Sequence, residues 1–172
     1  MNSLQRTISG VSIALGAALA FGQPAAAAPV ALQNGTATFS QTCSGNRTPD
    51  KAVDGQTSGG DGWAIAERCQ NGNVTSAQAA VWETASDVDA TELSFGLLQN
   101  FGTKHLIGRF RLSITSDDRA DFADGLDNGG DVSANWVVLT QPSISGTAGL
   151  IFSALADGSI LVSGSVPNTG SY

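Results

Sequence analysis

Residues 106–114 read Leu-Ile-Gly-Arg-Phe-Arg-Leu-Ser-Ile and alternate along their length: Ile107, Arg109, Arg111 and Ser113 stand against Leu106, Phe110, Leu112 and Ile114. Successive side chains of a strand point to opposite faces, so both arginines fall on one face and the bulky apolar residues on the other. A strand of this kind belongs to a sheet with one solvated and one apolar face, as antiparallel sheets over a single core have.

The flanking sequence repeats the signal. Before this strand, residues 36–41, 63–66, 79–83 and 92–98 read as strands; after it, 136–139, 149–155 and 159–163 do. The connections are turn-rich: Cys43 to Gly60 contains Asn46, Pro49, Asp50, Gly55 and the Gly59-Gly60 pair, and later breaks fall at Pro142, Asp157-Gly158 and Pro167. Only residues 75–80 could form a helix, and a short one. About eight short strands with no helical period predict an all-β fold, an antiparallel β-sandwich.

The N-terminus has a separate role. Residues 1–10 are polar with one cation, Arg6; an apolar run over 11–22 is broken by Gln23-Pro24 and followed by alanines 25–28. That is the layout of a secretory signal peptide, too short to span a bilayer, where about 20 apolar residues are needed. Small residues at Ala25 and Ala27 place cleavage after residue 27, with no cysteine there to carry a lipid. Residues 1–27 are thus expected to be a signal, and residues 28–172 a single β-sandwich domain with a C-terminal extension from about residue 133. Nothing later is long and apolar enough for a transmembrane segment. The expected location is extracellular or periplasmic.

The formal net charge is −7, and no basic cluster exists to track a phosphate backbone, so nucleic acid is excluded as a partner. The chain has two cysteines, Cys43 and Cys69. In an exported protein they suggest one disulfide; a metal site there lacks partners, since no CxxC spacing is present and the one histidine, His105, is distant in sequence. Residues 116–131 form an acidic loop with Asp117, Asp118, Asp121, Asp124, Asp127 and Asp131 among glycines. It invites a calcium reading, but its spacing matches neither the EF-hand loop nor the nonapeptide glycine-aspartate repeat, which leaves a solvated loop as the simpler expectation.

A resemblance runs through the first two thirds of the chain. Ala37-Thr-Phe-Ser-Gln41, Lys51-Ala-Val-Asp-Gly55, Gly62-Trp-Ala-Ile65, Val81-Trp-Glu83 and His105-Leu-Ile-Gly-Arg-Phe-Arg-Leu-Ser113 occur in the order found in the discoidin, or coagulation factor 5/8 type C, superfamily. The chain resembles in particular a bacterial branch of accessory domains in large secreted or envelope proteins. Residues 34–116 carry the resemblance, and residues 155–164 are similar to sequence that follows such domains. It implies a galactose-binding-like jelly roll of two antiparallel sheets whose end loops bind glycans, other polymers or phospholipid. It also implies a structural calcium near the Asp-Gly turn, held by Asp54 with Lys51 and Gln56 and by a carboxylate from the last strand, for which Asp117 is the candidate.

The expected function is that of a non-catalytic binding module for carbohydrate or cell-surface glycan; the alternative is a structural or adhesive envelope protein that binds another protein. Trp136, beside the acidic loop, is the candidate for stacking on a sugar ring, whereas Trp63 and Trp82 lie in apparent strands and read as core. Arg109 and Arg111 are candidates for an anionic glycan, with pairing to carboxylates on the sheet face as the preferred expectation. No G-x-S-x-G or HExxH motif is present, and His105, just before a strand, reads as a structural histidine. Glu67, Glu83 and Glu92 could supply paired carboxylates for glycoside hydrolysis only if the fold brings two together. No enzyme activity is expected.

Overall fold

A computed structural model describes residues 28–43, 45, 47–58, 62–66, 76–99, 106–164 and 170–171, and the structural statements below concern these residues. The signal segment 1–27, Cys69, His105 and Glu67 lie outside them.

Among the described residues the elements are antiparallel strands and two short 3-10 turns. β1 (Leu32–Ala37) pairs with β2 (Ala80–Thr84), and β3 (Leu98–Gln99) with β9 (Gly170–Ser171). β4 (Arg109–Phe110), β8 (Ile160–Gly164) and β7 (Leu150–Ala154) form a three-stranded sheet in that order, and β5 (Ser113–Ile114) pairs with β6 (Val137–Val138). All-β character and antiparallel pairing are as the alternation predicts.

The 106–114 stretch is one run that serves two sheets. At its start the Val162 amide donates to the Gly108 carbonyl at 2.8 Å; at its end the Leu139 amide donates to the Leu112 carbonyl at 3.0 Å. The strand leaves β8 and takes up β6 around Arg111 and Leu112, so it forms a corner between sheets. Arg109 and Arg111 are exposed, and Phe110 and Leu112 are half-buried, as period two requires.

Three expected strands differ. The first lies earlier than expected, at Leu32–Ala37 instead of 36–41. Of residues 92–98 only Leu98 enters a ladder; Leu93 and Phe95 stay exposed, and Gly96 between Phe95 and Leu97 brings no side chain to pack. Residues 63–66 form no strand, yet Ala64 is held on both sides: the Gln41 amide donates to its carbonyl (2.8 Å) and its own amide donates to the Arg47 carbonyl (3.3 Å). The helical alternative near residue 75 is not taken up: residues 76–79 are irregular and Ala80 opens β2.

β1 carries a bulge. Gln33 faces Glu83 and Thr36 faces Val81, so β1 spends one more residue than β2 across Asn34-Gly35. Asn34 sits at φ 49°, a conformation tolerated by Asn. Gly35 is required for a different reason: a Cβ there would lie 2.6 Å from the Pro49 Cβ and 2.9 Å from the Trp82 Nε1. The bulge brings the Gly35 amide to the Asp50 carboxylate at 2.8 Å and docks the 3-10 turn Pro49–Ala52 on β1.

The buried apolar side chains are Ala37, Val81, Phe122 and Ile160. Trp63 and Trp82 extend this core, half-buried and edge to face with centroids 6.3 Å apart, their indole N–H groups donating to the Phe39 and Pro49 carbonyls at 3.0 Å each. Both tryptophans are therefore structural, Trp82 within β2 and Trp63 in irregular chain. No helix is long and apolar enough to cross a membrane among the described residues.

Candidate binding cleft

The apolar face of the 106–114 strand is only partly covered. Phe110, Leu112 and Ile114 on that face, together with Ile160 of β8, line an open cleft of about 570 Å³ whose other walls are the irregular segments 90–97 and 139–145. The volume falls within the roughly 300–1,000 Å³ of small-ligand sites. Its lining is mixed. Phe95, 44 % exposed, presents an aromatic surface, and Ser94, Thr140, Gln141, Ser143 and Ser145 contribute hydroxyl and amide groups. The Gln141 amide donates to the Leu139 carbonyl at 2.6 Å, which fixes the side chain and leaves its oxygen available as an acceptor. Glu92 is the one charged residue in the lining.

The arginines lie on the opposite strand face from Phe110 and Leu112. Arg109 donates to the Ser159 hydroxyl at 2.8 Å and to the Asp157 carboxylate at 2.5 Å. The Ser159 hydroxyl donates in turn to Asp157 at 2.6 Å, and its amide does so at 3.1 Å. These bonds, that of the Ser159 hydroxyl foremost, hold the Asp157 carboxyl at about 2, below its ordinary 3.8. Of the two readings of Arg109, pairing with a carboxylate is thus the one the geometry displays, and the closed triangle also anchors the β7–β8 turn. Arg111 is exposed.

Trp136 is half-buried rather than free-standing. Its ring packs edge to face on the buried Phe122 with centroids 5.2 Å apart, and its indole N–H donates to the Val132 carbonyl at 2.7 Å. The pair forms a small core for the acidic loop, whose carboxylates cap local turns. Asp118 accepts from the Ala120 amide (3.0 Å), Asp131 from the Ser133 amide (2.7 Å), and Asp124 from the Leu126 amide (3.0 Å) and the fully buried Thr36 hydroxyl (3.1 Å). Asp117 accepts from the Asn135 amide (2.7 Å) and side chain (2.9 Å), ties the two ends of the loop together, and is more acidic as a result, the Asn135 backbone amide being the main cause. The Leu126 amide does the same for Asp124.

The expected calcium ligands are similarly engaged. Asp54 accepts from the Gln56 amide at 2.8 Å across Gly55, which adopts φ 81°; Lys51 belongs to the 3-10 turn before it, and Gln56 is exposed. No cluster of three or more His, Cys, Asp or Glu side chains suited to a metal occurs among the described residues. Asp54 thus closes its own turn and Asp117 is engaged by Asn135, and no step below uses calcium. Cys43 is disulfide-bonded, and Cys69 lies outside the described residues.

Of the three candidate glutamates Glu67 lies outside the described residues, and the other two stand in different surroundings. Glu83 is buried on β2, accepts from the Asn34 side-chain amide and lies 3.5 Å from the Arg119 guanidinium, whereas Glu92 lines the cleft. The cleft itself escapes a reading of the sequence in strands, because most of its lining comes from segments 90–97 and 139–145. The apolar alternation of Leu93, Phe95 and Leu97 without a matching partner was the available signal.

No family model, curated protein or solved structure matches the chain.

Proposed function

We propose that the chain is an exported, non-catalytic binding module whose ligand is a carbohydrate, and that the cleft beside the 106–114 strand is its site. The supporting observation is the cleft's lining: an exposed aromatic ring and aliphatic surface beside neutral hydroxyl and amide groups. A pyranose offers the matching chemistry, C–H faces for Phe95 and hydroxyls that both donate and accept for Ser94, Gln141 and Ser143. With Glu92 as the only charge and no cation in the lining, a neutral glycan suits it better than an anionic one. The finer architecture belongs to the same proposal: a two-sheet jelly roll of the galactose-binding type, stapled by a Cys43–Cys69 disulfide and secreted after removal of residues 1–27.

Affinity electrophoresis of the purified chain against a panel of neutral and acidic polysaccharides tests the reading. Retention by a neutral polymer is expected, reduced at least tenfold by Phe95→Ala and little changed by Arg111→Ala. No retention on any polymer would sink it. A second reading, docking of a protein surface, draws on the exposure of Leu93, Phe95 and Leu98; binding of an envelope protein that no glycan competes would favour it.

A further inference from the structure

Where aspartate or asparagine precedes glycine, a backbone nitrogen can attack the side chain before it, because glycine has no Cβ to hinder the approach. Five such pairs lie among the described residues: Asn34-Gly35, Asp54-Gly55, Asp124-Gly125, Asn128-Gly129 and Asp157-Gly158. The fold treats them unequally.

Four of the five glycine amides are held. Gly35 donates to the Asp50 carboxylate and Gly125 to the Thr36 hydroxyl, at 2.8 Å each. Gly129 donates to the Thr38 carbonyl and Gly158 to the Leu155 carbonyl, both at 3.0 Å. A nitrogen so engaged has to give up its bond before it can turn toward the preceding side chain. Three of the side chains are tied as well: Asn34 donates to the buried Glu83, Asp124 accepts from the Thr36 hydroxyl and Asp157 pairs with Arg109. The Ser159 hydroxyl and the Leu126 amide also keep Asp157 and Asp124 more acidic than usual, and an ionised carboxylate has no hydroxyl to lose.

Asp54-Gly55 stands apart. The pair is exposed, in the bend that follows the 3-10 turn Pro49–Ala52. Among the described residues the Gly55 amide has no protein acceptor. The Asp54 carboxylate accepts from the Gln56 amide at 2.8 Å, which curls it back across Gly55.

We propose that Asp54 is a site of covalent self-modification, isomerising to isoaspartate in the native protein while the fold protects the other four pairs. The Gly55 nitrogen gives up its proton and bonds to the Asp54 Cγ, whose hydroxyl leaves as water, and a five-membered succinimide results. Water then opens the ring. Cleavage between Cγ and nitrogen returns aspartate; cleavage between the Asp54 carbonyl carbon and nitrogen gives isoaspartate, with the main chain running through Cβ and Cγ. One water is lost and one regained, and nothing is oxidised or reduced. The product adds a methylene to the backbone of the turn and leaves an α-carboxylate there. None of this draws on the cleft or its ligand.

Ageing the purified native chain at mildly acidic pH tests it, each aspartate-glycine peptide being assayed afterwards for isoaspartate by enzymatic methylation with S-adenosylmethionine. Isoaspartate is expected at position 54, and about tenfold less or lower at 124 and 157, as the loss of a hydrogen bond on the way to the ring implies. Asp54→Asn removes the difference in side-chain type, because positions 34, 54 and 128 then undergo the same deamidation, read as the amide-to-acid mass change. Position 54 should convert about tenfold faster than the other two in the native chain, and all three rates should converge in concentrated urea. Native conversion at 34 or 128 as fast as at 54, or isoaspartate at 124 or 157 equal to that at 54, overturns the inference. So does a difference that persists in urea, which would trace it to neighbouring residues and not to the fold.

Discussion

Asp157 shows how much a single side chain can organise. It accepts from the Ser159 hydroxyl and amide and from Arg109, and its carboxyl is held near 2 as a result. The folded-state value lies below the unfolded 3.8, so its stabilising effect is complete above about pH 4 and is lost as pH falls toward 2. Denaturant unfolding from pH 5 to pH 2 should therefore show Asp157→Asn less stable than wild type at the upper end, with the two curves converging at the lower. Gly35 sets a steric test of the bulge: Gly35→Ala forces a Cβ onto Pro49 and Trp82 and should cost about 2 kcal/mol, read from the urea midpoint. At this scale the sequence was partly legible. Strand alternation placed Arg109 on a polar face and allowed for a carboxylate partner, but Asp157 is distant in the chain and only the β4–β8 pairing brings it there. Trp136 was legible as bordering the acidic loop; its Phe122 partner was not, because irregular segments carry no period from which a contact can be read.

The acidic loop is the element whose reading gained most. Its six aspartates suggested calcium or plain solvation; three of them instead close turns by accepting backbone amides, the ordinary use of Asp in irregular chain, and Asp117 accepts the amide of the distant Asn135. Arg119 then fastens the loop to β2 by donating to the Thr84 carbonyl at 3.2 Å and to Asp87 at 2.8 Å, while facing the buried Glu83. Phe122 is 5 % exposed and carries the loop's hydrophobic anchor. Phe122→Ala should cost roughly 3 kcal/mol in chemical denaturation and release Trp136, seen as a red shift of its fluorescence. β2, β7 and β8 fall where the alternating sequence put them, within a residue or so. The 92–98 segment does not, since apolar alternation specifies a face to be covered and says nothing of whether a neighbouring strand lies alongside it.

For the molecule as a whole, composition, turn density and period two were sufficient for an all-β antiparallel chain. They could not give the division into four small sheets, which depends on which distant strands meet. The site was less legible than the fold. Its polar groups come from stretches with no periodic signal, and its apolar wall is the one face of the 106–114 strand that core-forming residues would also occupy. Cys43 is bonded, and reduction of the native protein should lower stability by roughly 3 kcal/mol, measured as the difference between unfolding curves with and without reductant.

The three-stranded sheet has a further bearing on how the protein behaves in bulk. Among the described residues β7 is its outer member, with Ile151 60 % exposed on it. Such an edge is a template for another strand, and copies crowded together at high concentration will tend to pair through it. The counterweight is long-range repulsion: at a net charge of −7 like copies keep apart in dilute salt. Colloidal stability should accordingly fall as ionic strength rises or as pH approaches the isoelectric point near 4.3.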